Sequence, residues 1–123
     1  MLIDENSIDS LSVEYINYFT ALALGYFPTM KLINNEERCI LGGSTVPMQR
    51  FESKGIISIL INDGLSVSIK YTSTYIECQI ISKDGCSAFF GYAGTADEAT
   101  CKALIIQNYH NMDVPVNYET TLH

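Results

Sequence analysis

Two Asp-Gly pairs, Asp63-Gly64 and Asp84-Gly85, interrupt runs of alternating apolar residues in the middle of this chain and constrain its fold more than any other feature. Asp-Gly between alternating runs is a strong hairpin signal, because glycine adopts the left-handed backbone of a tight turn without steric cost. Before the first pair, Ile57, Ile59 and Ile61 alternate with Ser58, Leu60 and Asn62. After it, Leu65, Val67, Ile69 and Tyr71 alternate with Ser66, Ser68 and Lys70. A two-residue loop at Asp63-Gly64 would set Ile59 opposite Ser68 and place the isoleucines on the serine face. A three-residue loop, Asn62-Asp63-Gly64, pairs Ile61 with Leu65, Ile59 with Val67 and Ile57 with Ile69 instead. Lys83-Asp84-Gly85 repeats the solution, pairing Ile80 with Ala88, Cys78 with Phe90 and Ile76 with Tyr92. The pattern predicts a four-stranded antiparallel meander over 56–92, with Gly64 and Gly85 at positive φ.

Helical periodicity flanks this region. Leu11, Tyr15, Ile16, Phe19, Leu22, Ala23 and Tyr26 recur at three- and four-residue spacing, with Gly25 and Pro28 as stop signals, predicting a helix over about 10–24. Thr95-Ala96-Asp97-Glu98 is a capping box, and Ala99, Ala103, Ile106 and His110 line one stripe beyond it, flanked by Lys102 and Gln107. This predicts a helix over about 96–109, followed by an extended tail at Met112-Asp113-Val114-Pro115-Val116. Between 29 and 54, Met30–Ile33 and Cys39–Leu41 suggest short strands around Asn34-Asn35-Glu36-Glu37. Gly42-Gly43-Ser44-Thr45 and Pro47 suggest an irregular loop, and no G-K-[ST] follows to make it a phosphate-binding loop. The fold class expected is α+β: one domain over 1–123, a four-stranded antiparallel meander flanked by an N-terminal and a C-terminal helix as an α/β sandwich.

Charge and composition narrow the function. The 123 residues include 14 Asp plus Glu against 7 Lys plus Arg, a formal net charge of -7, which argues against a binder of nucleic-acid backbone. No apolar run is long enough for a membrane helix, and the acidic start Met1-Leu2-Ile3-Asp4-Glu5 is unlike a signal peptide. Cys39, Cys78, Cys86 and Cys101 form no C-x-x-C pair, and His110 and His123 sit near the tail. Free thiols are expected, with no metal site and no cofactor.

No catalytic constellation is visible: His110 has no serine or cysteine at a recognisable motif spacing. Two binding surfaces can be drawn. Asp4, Glu5, Asp9 and Glu14, joined by Asp113 and Glu119, would form an acidic patch at the two termini, suited to a protein with a basic surface. A nucleotide pocket would need aromatic stacking and a cation for phosphate, for which Tyr71, Tyr92, Arg38 and Arg50 are the suppliers. Assembly follows from the second face of the expected meander. Leu60, Tyr75, Ile81 and Phe89 lie there among serines, and the 29–54 segment is too poor in apolar residues to cover them, so a homodimer is expected.

The chain resembles the NinX-type family of small bacteriophage proteins. The resemblance is carried by Ala21-Leu22-Ala23-Leu24-Gly25, by Glu52-Ser53-Lys54-Gly55-Ile56, by the helix starting near Thr95 and by Met112-Asp113-Val114-Pro115. The chain departs from that pattern in having no Trp, and in carrying Lys102 where the resemblance suggests Arg. It implies a phage-encoded accessory protein in the cytoplasm of a bacterial host. The function expected is therefore non-enzymatic binding of a host protein, as a counter-defence inhibitor of a nucleic-acid-targeting complex in the manner of an anti-CRISPR protein. A sponge for a nucleotide signal is the alternative, and a small enzyme the second alternative.

Overall fold

The computed structural model describes residues 1–42 and 48–119. The loop expected around Gly42-Gly43-Ser44-Thr45 falls mostly on 43–47 and lies outside the described residues, as does His123. The elements run β1 (Leu2–Ile3), a 3-10 turn (Ile8–Ser10), α1 (Val13–Ala23), β2 (Pro28–Ile33) and β3 (Glu36–Leu41). They continue with α2 (Ser53–Asn62), β4 (Ser66–Tyr71), β5 (Ile76–Ile81), β6 (Ala88–Ala93), α3 (Ala96–Tyr109) and β7 (Met112–Asp113). The class is mixed α+β, with three antiparallel sheets ordered β1-β7, β2-β3 and β4-β5-β6.

The terminal helices form where periodicity places them. Ser12 caps α1 and Thr95 caps α3, the Thr95 hydroxyl accepting from the Glu98 amide at 3.2 Å. The return bond of a capping box, from the Thr95 amide to the Glu98 side chain, is absent among the described hydrogen bonds. Eight consecutive residues of α3, Ala99 to Ile106, are buried, because α3 packs on β5–β6 and against both α1 and α2. On its side away from α3, α1 packs against the β2–β3 hairpin, whose Asn34-Asn35 turn has both residues at positive φ, 54° and 66°. Phe19, Met30, Cys39, Ile80 and Ile105 are fully enclosed between these layers.

The four-stranded meander is corrected to three strands, because its first segment is α2. The run Ile56-Ile57-Ser58-Ile59-Leu60-Ile61 satisfies both periods, and a short apolar run cannot be told from a buried helical segment by pattern alone. The helix is selected by groups distant in sequence. Asp97 Oδ1 accepts from the Ser53 amide at 2.7 Å, closing the start of α2, and Ile56 and Leu60, one turn apart, face the core. Gly64 has positive φ, 86°, yet it ends a helix and turns no hairpin: its amide donates to Ile61 O and that of Leu65 to Leu60 O. Gly25 ends α1 in the same way, through Leu22 O and Ala21 O.

The β5–β6 register is corrected by one residue. Ser82 and Ser87 close a four-residue loop in which Gly85, at φ 75°, donates to Ser82 O. Asp84 Oδ1 accepts from the Ser82 hydroxyl at 2.6 Å and the Cys86 amide at 2.9 Å, which draws Cys86 into the loop. The partners become Ile80↔Phe89, Gln79↔Phe90, Cys78↔Gly91 and Glu77↔Tyr92, so a one-residue slip reverses both faces of β6. Phe89 and Ala93 join the core, while Phe90 and Tyr92 face outward.

The outer sheet face consequently carries Ser66, Ser68, Lys70, Glu77, Gln79, Ile81, Ala88, Phe90 and Tyr92. Leu60 is buried in α2 and Phe89 packs on the core, so the face drawn for a homodimer from Leu60, Tyr75, Ile81 and Phe89 does not exist.

Candidate functional site: an aromatic and acidic cleft

Turning β6 over brings its two aromatic residues to the surface. Tyr92 stands 5.6 Å from Tyr75, edge to face at 82°, and 6.3 Å from Phe90 with the rings almost parallel at 7°. All three keep more than a third of their surface in solvent. Burial of one side of Tyr92, then the nearby Glu77 carboxylate, raise its hydroxyl above the ordinary tyrosine range.

The N-terminal turn builds the wall of this site. Asp4 Oδ1 accepts from the amides of Asn6 and Ser7 at 2.9 and 2.7 Å, and the Asp4 amide donates to the Ser7 hydroxyl at 3.0 Å. These bonds, the Ser7 amide foremost, hold the Asp4 carboxyl below its ordinary value. Ile8 anchors the turn in the core, and Glu5 and Asp9 are left beside β6. Glu5, Ile8, Asp9, Phe90, Gly91 and Tyr92 line a cleft of about 240 Å³, which continues as an open shelf over Tyr75, Ala93 and Lys102.

Lys102 ties the parts together. It reaches from the buried face of α3 past Gly91, where there is no side chain to block it, and its Nζ donates to Asp9 Oδ1 at 3.0 Å and Tyr92 O at 3.1 Å. The residue is 7% exposed, so its stem is core while its charge emerges at the cleft. It was expected as a flank of the α3 stripe and is instead part of the packed interior. His110 Nε2 lies 3.8 Å from Glu5 Oε1 at the rim.

The acidic patch expected at the termini is divided by the fold. Glu5 and Asp9 join the cleft, while Asp4 is occupied in its own turn. Asp113 accepts from the Met1 amino group at 2.7 Å across the β1–β7 pair. Glu14 accepts from Arg38 Nε at 2.9 Å and the Cys39 amide at 2.7 Å, and Glu119 lies 3.5 Å from Lys31 Nζ. The four nucleotide-pocket residues do not converge. Tyr71 is on the helix side of β4, Tyr92 is on the outer face of β6, and Arg38 is paired with Glu14.

Arg50 lines a separate cavity with Asn17, Phe51, Thr95, Asp97, Glu98 and Cys101. At about 90 Å³ it is small for a nucleotide, since ligand pockets commonly hold about 300–1,000 Å³. Among the described residues no His, Cys, Asp and Glu cluster is placed to hold a metal, and no serine or cysteine is hydrogen-bonded to His110. Among the described residues no helix is long and apolar enough to cross a membrane.

The sequence reading missed Tyr75, Phe90 and Lys102 as site residues. The first two depend on the β5–β6 register, for which the four-residue Asp84 loop was the available signal. Lys102 stood out as a flank of the α3 stripe and as a departure from the NinX-type pattern, neither of which points to a cleft. No protein-family model, curated protein or solved structure matches this chain.

Proposed function

We propose that the protein acts by binding, and that the cleft between the N-terminal turn and β6 receives an Arg or Lys side chain from a partner protein with a basic surface. The observation that carries this reading is the placing of Glu5 and Asp9 beside the stacked rings of Phe90 and Tyr92 in one concave surface. A cation on an aliphatic stem matches both halves of that surface: the rings attract its charge and cover its methylenes, and Glu5 accepts its N–H groups beside an Asp9 shared with Lys102. The net charge of -7 adds long-range attraction for such a partner. Following the NinX-type resemblance, the protein is a phage accessory factor in the bacterial host cytoplasm. Its partner is then a host protein, and occupation of a basic nucleic-acid channel is the form of counter-defence these charges serve.

The test is capture of the partner from a bacterial lysate by the wild-type protein, by Tyr92→Ala and by Glu5→Lys, with folding of each checked by circular dichroism. Tyr92→Ala should weaken binding about tenfold, near 1.4 kcal/mol, and Glu5→Lys at least as much. Capture by the wild type should fall steeply with added salt. Capture unaffected by both variants, or a copurifying nucleotide with no protein partner, would sink the proposal.

A further inference from the structure

The two edges of the three-stranded sheet differ. In β6 the closing pair Ser82↔Ser87 turns the backbone groups of Phe89, Gly91 and Ala93 toward β5 and those of Ala88, Phe90 and Tyr92 outward. That edge is occupied: Lys102 Nζ takes the Tyr92 carbonyl, and the N-terminal turn lies alongside. In β4 the Thr72 amide donates to Tyr75 O, so Ser66, Ser68 and Lys70 bond to β5. Val67, Ile69 and Tyr71 direct three N–H and three C=O groups outward. Among the described residues no strand or hydrogen bond reaches those six groups.

Proteins protect such edges with proline, bulges or inward-pointing charges. β4 has no proline, no glycine and no break in register, and its single charge, Lys70, is on the outer face. The rim beside it is apolar. Val67 and Ile69 are half-buried, and Tyr71 is 69% exposed on the helix side. In α2, Ile59 turns toward a groove with Leu104 and Gln107 of α3. At about 100° per residue, Ile57 and Ile61 therefore occupy the flank opposite that groove, with Ile61 56% exposed.

We infer that β4 pairs with β4 of a second copy of this chain, antiparallel about a twofold axis at Ile69, giving one continuous sheet with three strands from each copy. This register sets Ile69 against Ile69 and Val67 against Tyr71, and uses all six outward groups of each strand. Shifting by one pair brings Leu65 opposite Tyr71, and the Leu65 amide is already given to Leu60 O. Centred on Ile69, Lys70 of one copy faces Ser68 of the other, so no like charges oppose one another across the seam of this acidic protein. Val67 of each copy then lies beside Tyr71 of the other along the seam, which takes part of the exposed Tyr71 ring out of water. The homodimer thus rests on a different surface from the sheet face expected from sequence, and it does not depend on the cleft.

Sedimentation of the full chain and amide exchange by nuclear magnetic resonance test this together. Twice the chain mass is expected at micromolar concentration. On concentration, the amides of Val67, Ile69 and Tyr71 should slow by roughly tenfold or more, while those of Ser66, Ser68 and Lys70 stay unchanged. Ile69→Lys sets two ammonium groups face to face on the axis and should give a monomer. Tyr71→Pro removes an outward N–H that the folded chain does not use, and should do the same without disturbing the core. A monomer at millimolar concentration overturns the inference. So does a dimer whose Val67, Ile69 and Tyr71 amides exchange freely, or one that survives Tyr71→Pro. Protection of those three amides only when another protein is added would show that the edge receives a foreign strand, and would equally overturn it.

Discussion

Gly91 of β6 lies directly beneath Ala99 of α3: a Cβ at Gly91 would stand 2.1 Å from the Ala99 carbonyl oxygen and 2.4 Å from the Ala103 amide nitrogen. The close approach of helix to sheet depends on that missing atom, and both obstacles are backbone, which no rotamer change can move. Gly91→Ala should destabilise the fold by about 3 kcal/mol through overpacking. Gly94→Ala meets nothing within 4 Å and should stay within about 0.5 kcal/mol of wild type. Urea midpoints compare the two, and equal effects would contradict the packing described.

Gly25 and Gly64 end α1 and α2 at φ 89° and 86°. Replacement by alanine forces a side chain into the left-handed region at a cost of about 1 kcal/mol at each site. At Gly64 the new methyl also meets the flexible Lys83 stem at 3.0 Å. Unchanged thermal midpoints in both variants would show that these helix ends are not closed in the way described.

Capping ties α2 to α3. Thr95→Ala should cost about 1 kcal/mol by leaving the Glu98 amide without its partner. Asp97→Ala should cost about 2 kcal/mol, because a charged acceptor is lost from the Ser53 amide at the start of a different helix. Faster exchange of the Ile56 to Leu60 amides in Asp97→Ala, and not in Thr95→Ala, is the distinguishing measurement.

The four cysteines are unpaired, three buried and Cys86 exposed. Burial pushes the Cys39 thiol up to about 12 and the Cys101 thiol up to about 11, and raises Cys78 as well. A thiol alkylates as its thiolate, so at pH 8 the native protein should label quickly at Cys86 alone and at all four cysteines once unfolded. Rapid native labelling of Cys39, or fewer than four labels in denaturant without reductant, would count against this.

Asp4 gives the pH response of the N-terminal turn. Its folded carboxyl lies below the ordinary 3.8, so its contribution to stability is complete above that value and is lost as pH falls through the depressed folded value. The Asn6 and Ser7 amide resonances should therefore titrate with a midpoint below 3.8. A midpoint at or above it would mean that the turn is not held by this carboxylate.

Local signals in the sequence determined the parts whose causes are local. Ser12 and Thr95 with the periodic residues behind them mark α1 and α3, Asn34-Asn35 turns β2 into β3, and Gly64 and Gly85 adopt positive φ whatever element surrounds them. Tertiary structure decided the rest, because the deciding atoms are distant in sequence. Ile56 to Ile61 fit a strand or a helix equally well until Asp97 closes the Ser53 amide and Leu60 finds the core. The register of β6, which the Asp84 loop permits locally, is also the one that sets Gly91 beneath α3, and it sends Phe90 and Tyr92 outward. Of six carboxylates that composition could group only as acidic, the fold gathers Glu5 and Asp9 at the cleft, Asp9 already bonded to Lys102, and ties the others to Arg38, Lys31, the Met1 amino group and the backbone of Asn6 and Ser7. A carboxylate's availability to a partner is set by what the folded chain has already bonded to it, and for all of these but Asp4 the bonded group lies far away in sequence.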